Sequence, residues 1–127
     1  MAGAEDAYQR ALSLEESGDR AGALAAFAEA TELDGSDPRY WIARGVALLG
    51  LRHFKEAVRC LRAGVDLKPH YAEADARLFL ADALWLAGQR AEAKAQWTAV
   101  SRMAPAYPGY GTPIEQAKAR LAGDLPT

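Results

Sequence analysis

The sequence predicts an all-α solenoid, a stack of helical hairpins, and three observations carry that prediction. First, one segment recurs. Glu15-Glu16-Ser17-Gly18-Asp19-Arg20-Ala21-Gly22-Ala23 is echoed by Arg52-His53-Phe54-Lys55-Glu56-Ala57 and again by Gly88-Gln89-Arg90-Ala91-Glu92-Ala93. Ala23 and Ala57 lie 34 positions apart and Ala57 and Ala93 lie 36 apart; a period near 34 with two helices inside it marks a helical repeat. Second, no stretch alternates with the two-residue period of a strand. Third, turn and breaker residues punctuate the chain at the hairpin turns Gly18 and Gly88 and near the unit ends at Pro38, Pro69 and Pro105.

Seven helices follow in order. The first pair is expected at Ala4–Glu16 and Arg20–Leu33, with Gly18 free to take the positive φ of a helix C-cap. Asp37 is a natural N-cap and Pro38 a natural first residue for the second pair, Pro38–Leu51 and Phe54–Leu67. Pro69 blocks continuation. The third pair is expected at Tyr71–Ala87 and Arg90–Met103, with Gly88 at the turn. Two extra residues near His70-Tyr71-Ala72-Glu73 start its first helix early or lengthen it. After the breaker-rich loop Pro105–Gly111, the run Thr112-Pro113-Ile114-Glu115 reads as a capping box with proline at the first helical position. That places a last helix at about 113–122, with Ile114, Ala117 and Leu121 on its dry face, as a capping helix needs. The chain is therefore one domain, with repeats at about 4–37, 38–71 and 72–107 plus the cap.

Bulk properties narrow the function. The 127 residues are 50% hydrophobic and 25% charged, with a net charge of −2, which disfavours nucleic acid as a partner because phosphate binding rests on a basic excess. No apolar run approaches the roughly 18 residues of a membrane span. The acidic start, Met1 to Asp6, lacks the apolar core of a secretory signal. The single cysteine, Cys60, gives no sign of an oxidising compartment, so a cytoplasmic location is expected. Richness in Ala, Arg and Leu suggests a bacterial source. His53, His70 and Cys60 lack the spacing of paired zinc ligands. There is no phosphate-binding glycine loop, no nucleophile elbow and no His-Glu-x-x-His. No enzyme, cofactor or metal is expected.

Charge is unevenly spread. Residues 4–37 carry nine acids against two bases, and residues 38–71 carry seven bases against two acids. Opposite neighbours support stacking and leave self-association open.

At these residues the chain resembles the tetratricopeptide repeat family. The middle unit supplies the aromatic, small, alanine and proline positions as Trp41, Gly45, Ala57 and Pro69. The third supplies Ala81, Gly88, Ala93, Trp97 and Pro105, and the first Ala11, Gly18, Ala23, Phe27 and Ala30. Arg10 and Arg44 depart from the pattern, which prefers leucine there. The resemblance implies a right-handed solenoid. It implies also that the first helix of each unit lines a concave groove for a peptide or helix of another protein. Carried over position by position, the groove holds Tyr8, Leu12 and Glu15, then Arg39, Ile42, Val46 and Leu49, then Asp75, Leu78, Phe79, Asp82, Trp85 and Leu86. Most are apolar, and an apolar patch away from the hairpin cores marks a binding site. The competing expectation is that the tyrosine-rich loop or the third hairpin covers them. The subfamily that clamps acidic chaperone tails needs basic and amide residues where this chain has Tyr8, Leu12, Ala43, Asp75 and Phe79, so that activity is not expected. Asp37-Pro38-Arg39-Tyr40-Trp41 leading into Gly45 is similar to the middle repeat of bacterial type III secretion chaperones, which implies a chaperone for apolar protein segments. A self-assembling scaffold is the remaining alternative.

Overall fold

A computed structural model describes residues 3–127; Met1 and Ala2, at the acidic start, lie outside the described residues. Seven helices run in order: α1 Ala4–Glu16, α2 Arg20–Leu33, α3 Pro38–Gly50, α4 Phe54–Asp66, α5 Glu73–Leu86, α6 Arg90–Ser101 and α7 Gly111–Leu121. The described residues contain no strand.

The hairpin turns are built alike. In each, a residue of positive φ closes the first helix: Gly18 at 87°, Arg52 at 64° and Gly88 at 88°. The next amide then donates back across the last helical turn, Asp19 to the carbonyl of Leu14, His53 to Leu48 and Gln89 to Leu84. This is the C-cap arrangement that satisfies the helix-end carbonyls. Glycine adopts the left-handed region freely, whereas arginine pays for its Cβ there. The Arg52 guanidinium lies 4.8 Å from the centre of the Phe54 ring, which offsets part of that cost. Asp37 caps α3 as its residue type demands, its Oδ1 accepting from the Arg39 amide at 2.9 Å behind Pro38.

Two helix starts shift by about two residues. Helix α5 begins at Glu73 rather than Tyr71, because the Ala72 amide donates to the Pro69 carbonyl and makes a separate turn of the linker. That turn absorbs the two extra residues, and Tyr71 is left 81% exposed. Helix α7 begins at Gly111 with Tyr110 at its N-cap and no side-chain cap bond, so the capping box expected at Thr112 does not form. Tyr110 is buried and its hydroxyl donates to the His70 carbonyl. That tertiary anchor starts the helix before Pro113, whose missing N–H costs nothing in a first turn.

Each hairpin packs its second helix on the first helix of the next: α2 on α3, α4 on α5 and α6 on α7, while α5 also meets α3 and α7. Helices α1, α3, α5 and α7 therefore form one row, called here the inner row, and α2, α4 and α6 the outer row. Close helix crossings need small residues. A Cβ on Gly45 would lie 2.5 Å from Leu61 Cγ, and one on Gly64 would lie 2.8 Å from Ile42 Cγ1. The largest core centres on Leu61, Leu80, Leu84, Trp97 and Val100, and Ile114 and Ala117 of α7 join it. Cys60 packs there as a small buried residue.

Candidate functional site: the inner face

The inner row presents Tyr8 and Leu12 from α1, Ile42, Val46 and Leu49 from α3, and Phe79 and Trp85 from α5, all partly buried beside the cores. The fold brings this set of expected residues together. Three of them also hold their own hairpins, contrary to the expectation that they stand apart from hairpin packing. Tyr8 packs on Phe27 of α2, with ring centres 5.9 Å apart. Ile42 fills the space left by Gly64 of α4. Trp85 lies on Trp97 of α6 at 5.5 Å, with the Arg90 guanidinium 4.7 Å from its ring centre.

Leu78 and Asp82 are corrections. Leu78 is only 4% exposed and belongs to the main core. Asp82 is bonded within the chain. Its Oδ1 accepts from Trp97 Nε1 at 2.9 Å and from Arg120 Nε at 3.1 Å, and its Oδ2 accepts from Arg120 Nη2 at 3.1 Å. This two-pronged pair fastens α7 to α5, and Asp82 spends both carboxylate oxygens on bonds within the chain.

Arg39 stands at the edge of the face, half exposed and held by carboxylates and two tyrosine rings. It donates to Asp37 and to Glu5, with its Nη2 2.9 Å from Glu5 Oε2. Its guanidinium lies 5.3 Å from the Tyr8 ring centre and 5.2 Å from that of Tyr40. Tyr40 donates its hydroxyl to the same Glu5 carboxylate at 2.7 Å. That bond, with burial, pushes the Tyr40 phenol up to about 12, and the Tyr40 and Arg39 bonds hold Glu5 below the usual carboxylate range. The complementarity between the acidic first unit and the basic second is realised here. Sequence reasoning missed Tyr40 and Arg120, whose partners lie 35 and 38 residues away. The Arg10 and Arg44 departures are also explained. Arg10 pairs with Glu29, and Arg44 donates to Thr31 Oγ1 at 2.9 Å while lying 5.7 Å from the Trp41 ring centre.

Asp75 is different. It makes no hydrogen bond or ion pair among the described residues, and burial alone pushes its carboxyl above the usual range. The tyrosine-rich loop packs elsewhere. Tyr107 meets Tyr71 and Tyr110, with ring centres 4.9 and 5.3 Å away, and Tyr110 bonds to His70. The loop thus packs against the linker between the second and third hairpins, not against Ile42, Leu49 or Trp85. Among the described residues no cluster of three or more metal-ligating side chains occurs, and no helix is long and apolar enough to cross a membrane.

This arrangement of paired helices recurs in known proteins. Residues 38–71 match the tetratricopeptide repeat family. The chain has the tetratricopeptide repeat fold. A T3SS complex from Aeromonas hydrophila contains a similar chain, with a TM-score of 0.83, 19% identity and coverage of 94% of this chain and 78% of that one. The Yersinia enterocolitica type III secretion chaperone SycD, in complex with a peptide of the translocator YopD, matches with a TM-score of 0.73 at 19% identity, over 92% and 93% of the two chains. The second tetratricopeptide repeat domain of human RPAP3, in complex with the HSP70 peptide SGPTIEEVD, matches with a TM-score of 0.74 at 20% identity, over 91% and 94%. No curated protein matches the sequence significantly. Three tetratricopeptide hairpins and a capping helix account for the seven helices of the described residues.

Proposed function

We propose that this chain is a non-catalytic interaction module that holds a peptide or helix of a partner protein on its inner face. The observation that carries the proposal is the apolar row Leu12, Ile42, Val46, Leu49, Phe79 and Trp85, partly buried side chains that the first helices of the three hairpins bring together. Partly buried aliphatic and aromatic side chains at this density suit a ligand with large apolar anchors. Structural neighbours that hold peptides support the same reading. The ligand differs in chemistry from the acidic peptide held by the RPAP3 domain. The inner face here offers Tyr8, Leu12 and Phe79, and the carboxylate of Asp75 has no hydrogen-bond or ion-pair partner among the described residues. A chaperone for apolar segments, of the type III secretion kind, is the narrower form of this proposal; the SycD complex with a translocator peptide favours it. A free, buried Cys60 fits a cytoplasmic setting.

The test is selection of displayed random peptides on the immobilised protein, followed by affinity measurement of a selected peptide. Selected sequences should carry large apolar residues at helical or alternating spacing. Leu49→Ala with Leu12→Ala should weaken binding at least ~tenfold while the helical melt stays cooperative. Equal affinity for native and doubly substituted protein overturns the assignment.

A further inference from the structure

The outer face of α4 carries charge that the chain itself uses only in part. Lys55, Arg59 and Arg62 follow at i, i+4 and i+7, which sets them in one row along the helix. Arg62 reaches Glu92 at 3.2 Å. Lys55 and Arg59 have no carboxylate within ion-pair distance among the described residues. The row also borders concave ground. On one flank, a depression of about 660 Å³ has Lys55, Arg59 and Arg62 along its wall, with Val58 and Ala87 supplying apolar surface. On the other, Arg59 and Arg44 border a second depression beside Trp41 and Cys60. The nearby guanidiniums of Arg44 and Arg59 both favour the Cys60 thiolate, although burial outweighs them and pushes the thiol up.

We propose that the outer face of α4 binds an extended, Asp- or Glu-rich segment of a partner protein, independently of the inner face. Its carboxylates sit on Lys55, Arg59 and Arg62, and its backbone lies over Val58 and Ala87. The spacing fits. Neighbours four apart on a helix face stand about 6 Å from each other. Alternate side chains of an extended strand stand about 6.6 Å apart, so two carboxylates two residues apart meet Lys55 and Arg59. The net charge of −2 disfavours a continuous phosphate backbone, which a basic excess would have to hold. Charge complementarity of this kind gives specificity and a fast encounter that salt weakens.

The experiment is fluorescence anisotropy with a labelled oligoglutamate peptide on the full chain, at low salt and at about 150 mM salt. The expected result is saturable binding that weakens with salt and falls at least ~tenfold in Lys55→Gln/Arg59→Gln/Arg62→Gln. The charge-preserving Lys55→Arg/Arg59→Lys/Arg62→Lys retains it, and Lys118→Gln, on α7, leaves it unchanged. Circular dichroism confirms that each variant is folded. Three results would overturn the proposal. One is equal affinity for native and neutralised protein. Another is tighter binding of a labelled oligonucleotide of equal charge. The third is concentration-dependent self-association that disappears with the three bases, which would assign the face to the acidic first unit of a second copy.

Discussion

Replacing Asp82 with asparagine should loosen the capping helix, and the geometry sets the size of the effect. Asp82 and Arg120 have side chains 15% and 21% exposed, so water screens the pair only partly. Two donors of one guanidinium meet both carboxylate oxygens, and Trp97 shares Oδ1. Asparagine can still accept from Trp97 and Arg120 Nε through its oxygen. Its NH₂ would then face Arg120 Nη2, donor against donor. Removing one partner of a fully buried pair costs about 3–5 kcal/mol. Partial exposure lowers this, as does the second acceptor set that Arg120 finds at Asp124, whose carbonyl lies 3.1 Å away. About 2 kcal/mol remains. At roughly 3–5 °C per kcal/mol for a chain of this length, the melting temperature should fall by about 6–10 °C. Thermal melts by circular dichroism read the loss, and hydrogen exchange should show it first in the amides of α7. A double-mutant cycle with Arg120→Gln isolates the pair. A shift under about 1 °C, or a coupling energy under about 0.5 kcal/mol, would refute the claim that this ion pair fastens the cap.

Other substitutions follow from single contacts. Gly45→Ala gains up to about 1 kcal/mol of helix propensity but drives a methyl to 2.5 Å from Leu61 Cγ; overpacking of about 1–3 kcal/mol should leave it net destabilised in urea titrations. Gly88→Ala should cost about 1 kcal/mol because φ is 88°. Arg52→Gly, at the matching turn, should stabilise by less than that, since it also forfeits the Phe54 contact; denaturant midpoints compare the two. Asp75→Asn should raise the melting temperature at pH 7. The folded state holds the Asp75 carboxyl above its unfolded value, so folding binds its proton more tightly, and stability falls as pH rises through that window. The advantage of the asparagine should therefore vanish near pH 3, where both states carry the proton, and melts across pH check this.

The sequence carried the scaffold because its determinants are local. Gly18 and Gly88 mark turns by the φ that only glycine takes freely. Asp37-Pro38 marks a helix start by one side-chain oxygen and one fixed φ. Two helix starts deviate, one through a distant contact and one through a local turn. The Tyr110 hydroxyl, bonded to the His70 carbonyl, starts α7 before the Thr112 signal, and the turn at Ala72 delays α5. The inner face was legible as a row of apolar positions, since every first helix contributes in phase. Which members are free was not legible. Asp82 is consumed by Arg120, 38 residues on, and Leu78 by the core. Arg39 is consumed by Glu5, 34 residues back. None of these pairings leaves a periodic trace. Tyr8, Ile42 and Trp85 serve both the hairpin and the face, and a pattern of apolar residues looks the same for either role.

The central claim, that the inner face is where a partner segment is held, is tested most directly by nuclear magnetic resonance. A selected apolar-anchored peptide is titrated into the isotopically labelled protein, and shifts in amide and side-chain signals are mapped. The account predicts saturable shifts concentrated at Leu12, Ile42, Val46, Leu49, Phe79 and the Trp85 indole, with the signals of Lys55, Arg59 and Arg62 little changed. Shifts centred on the outer helices α2, α4 and α6, with the inner row unmoved, would contradict it.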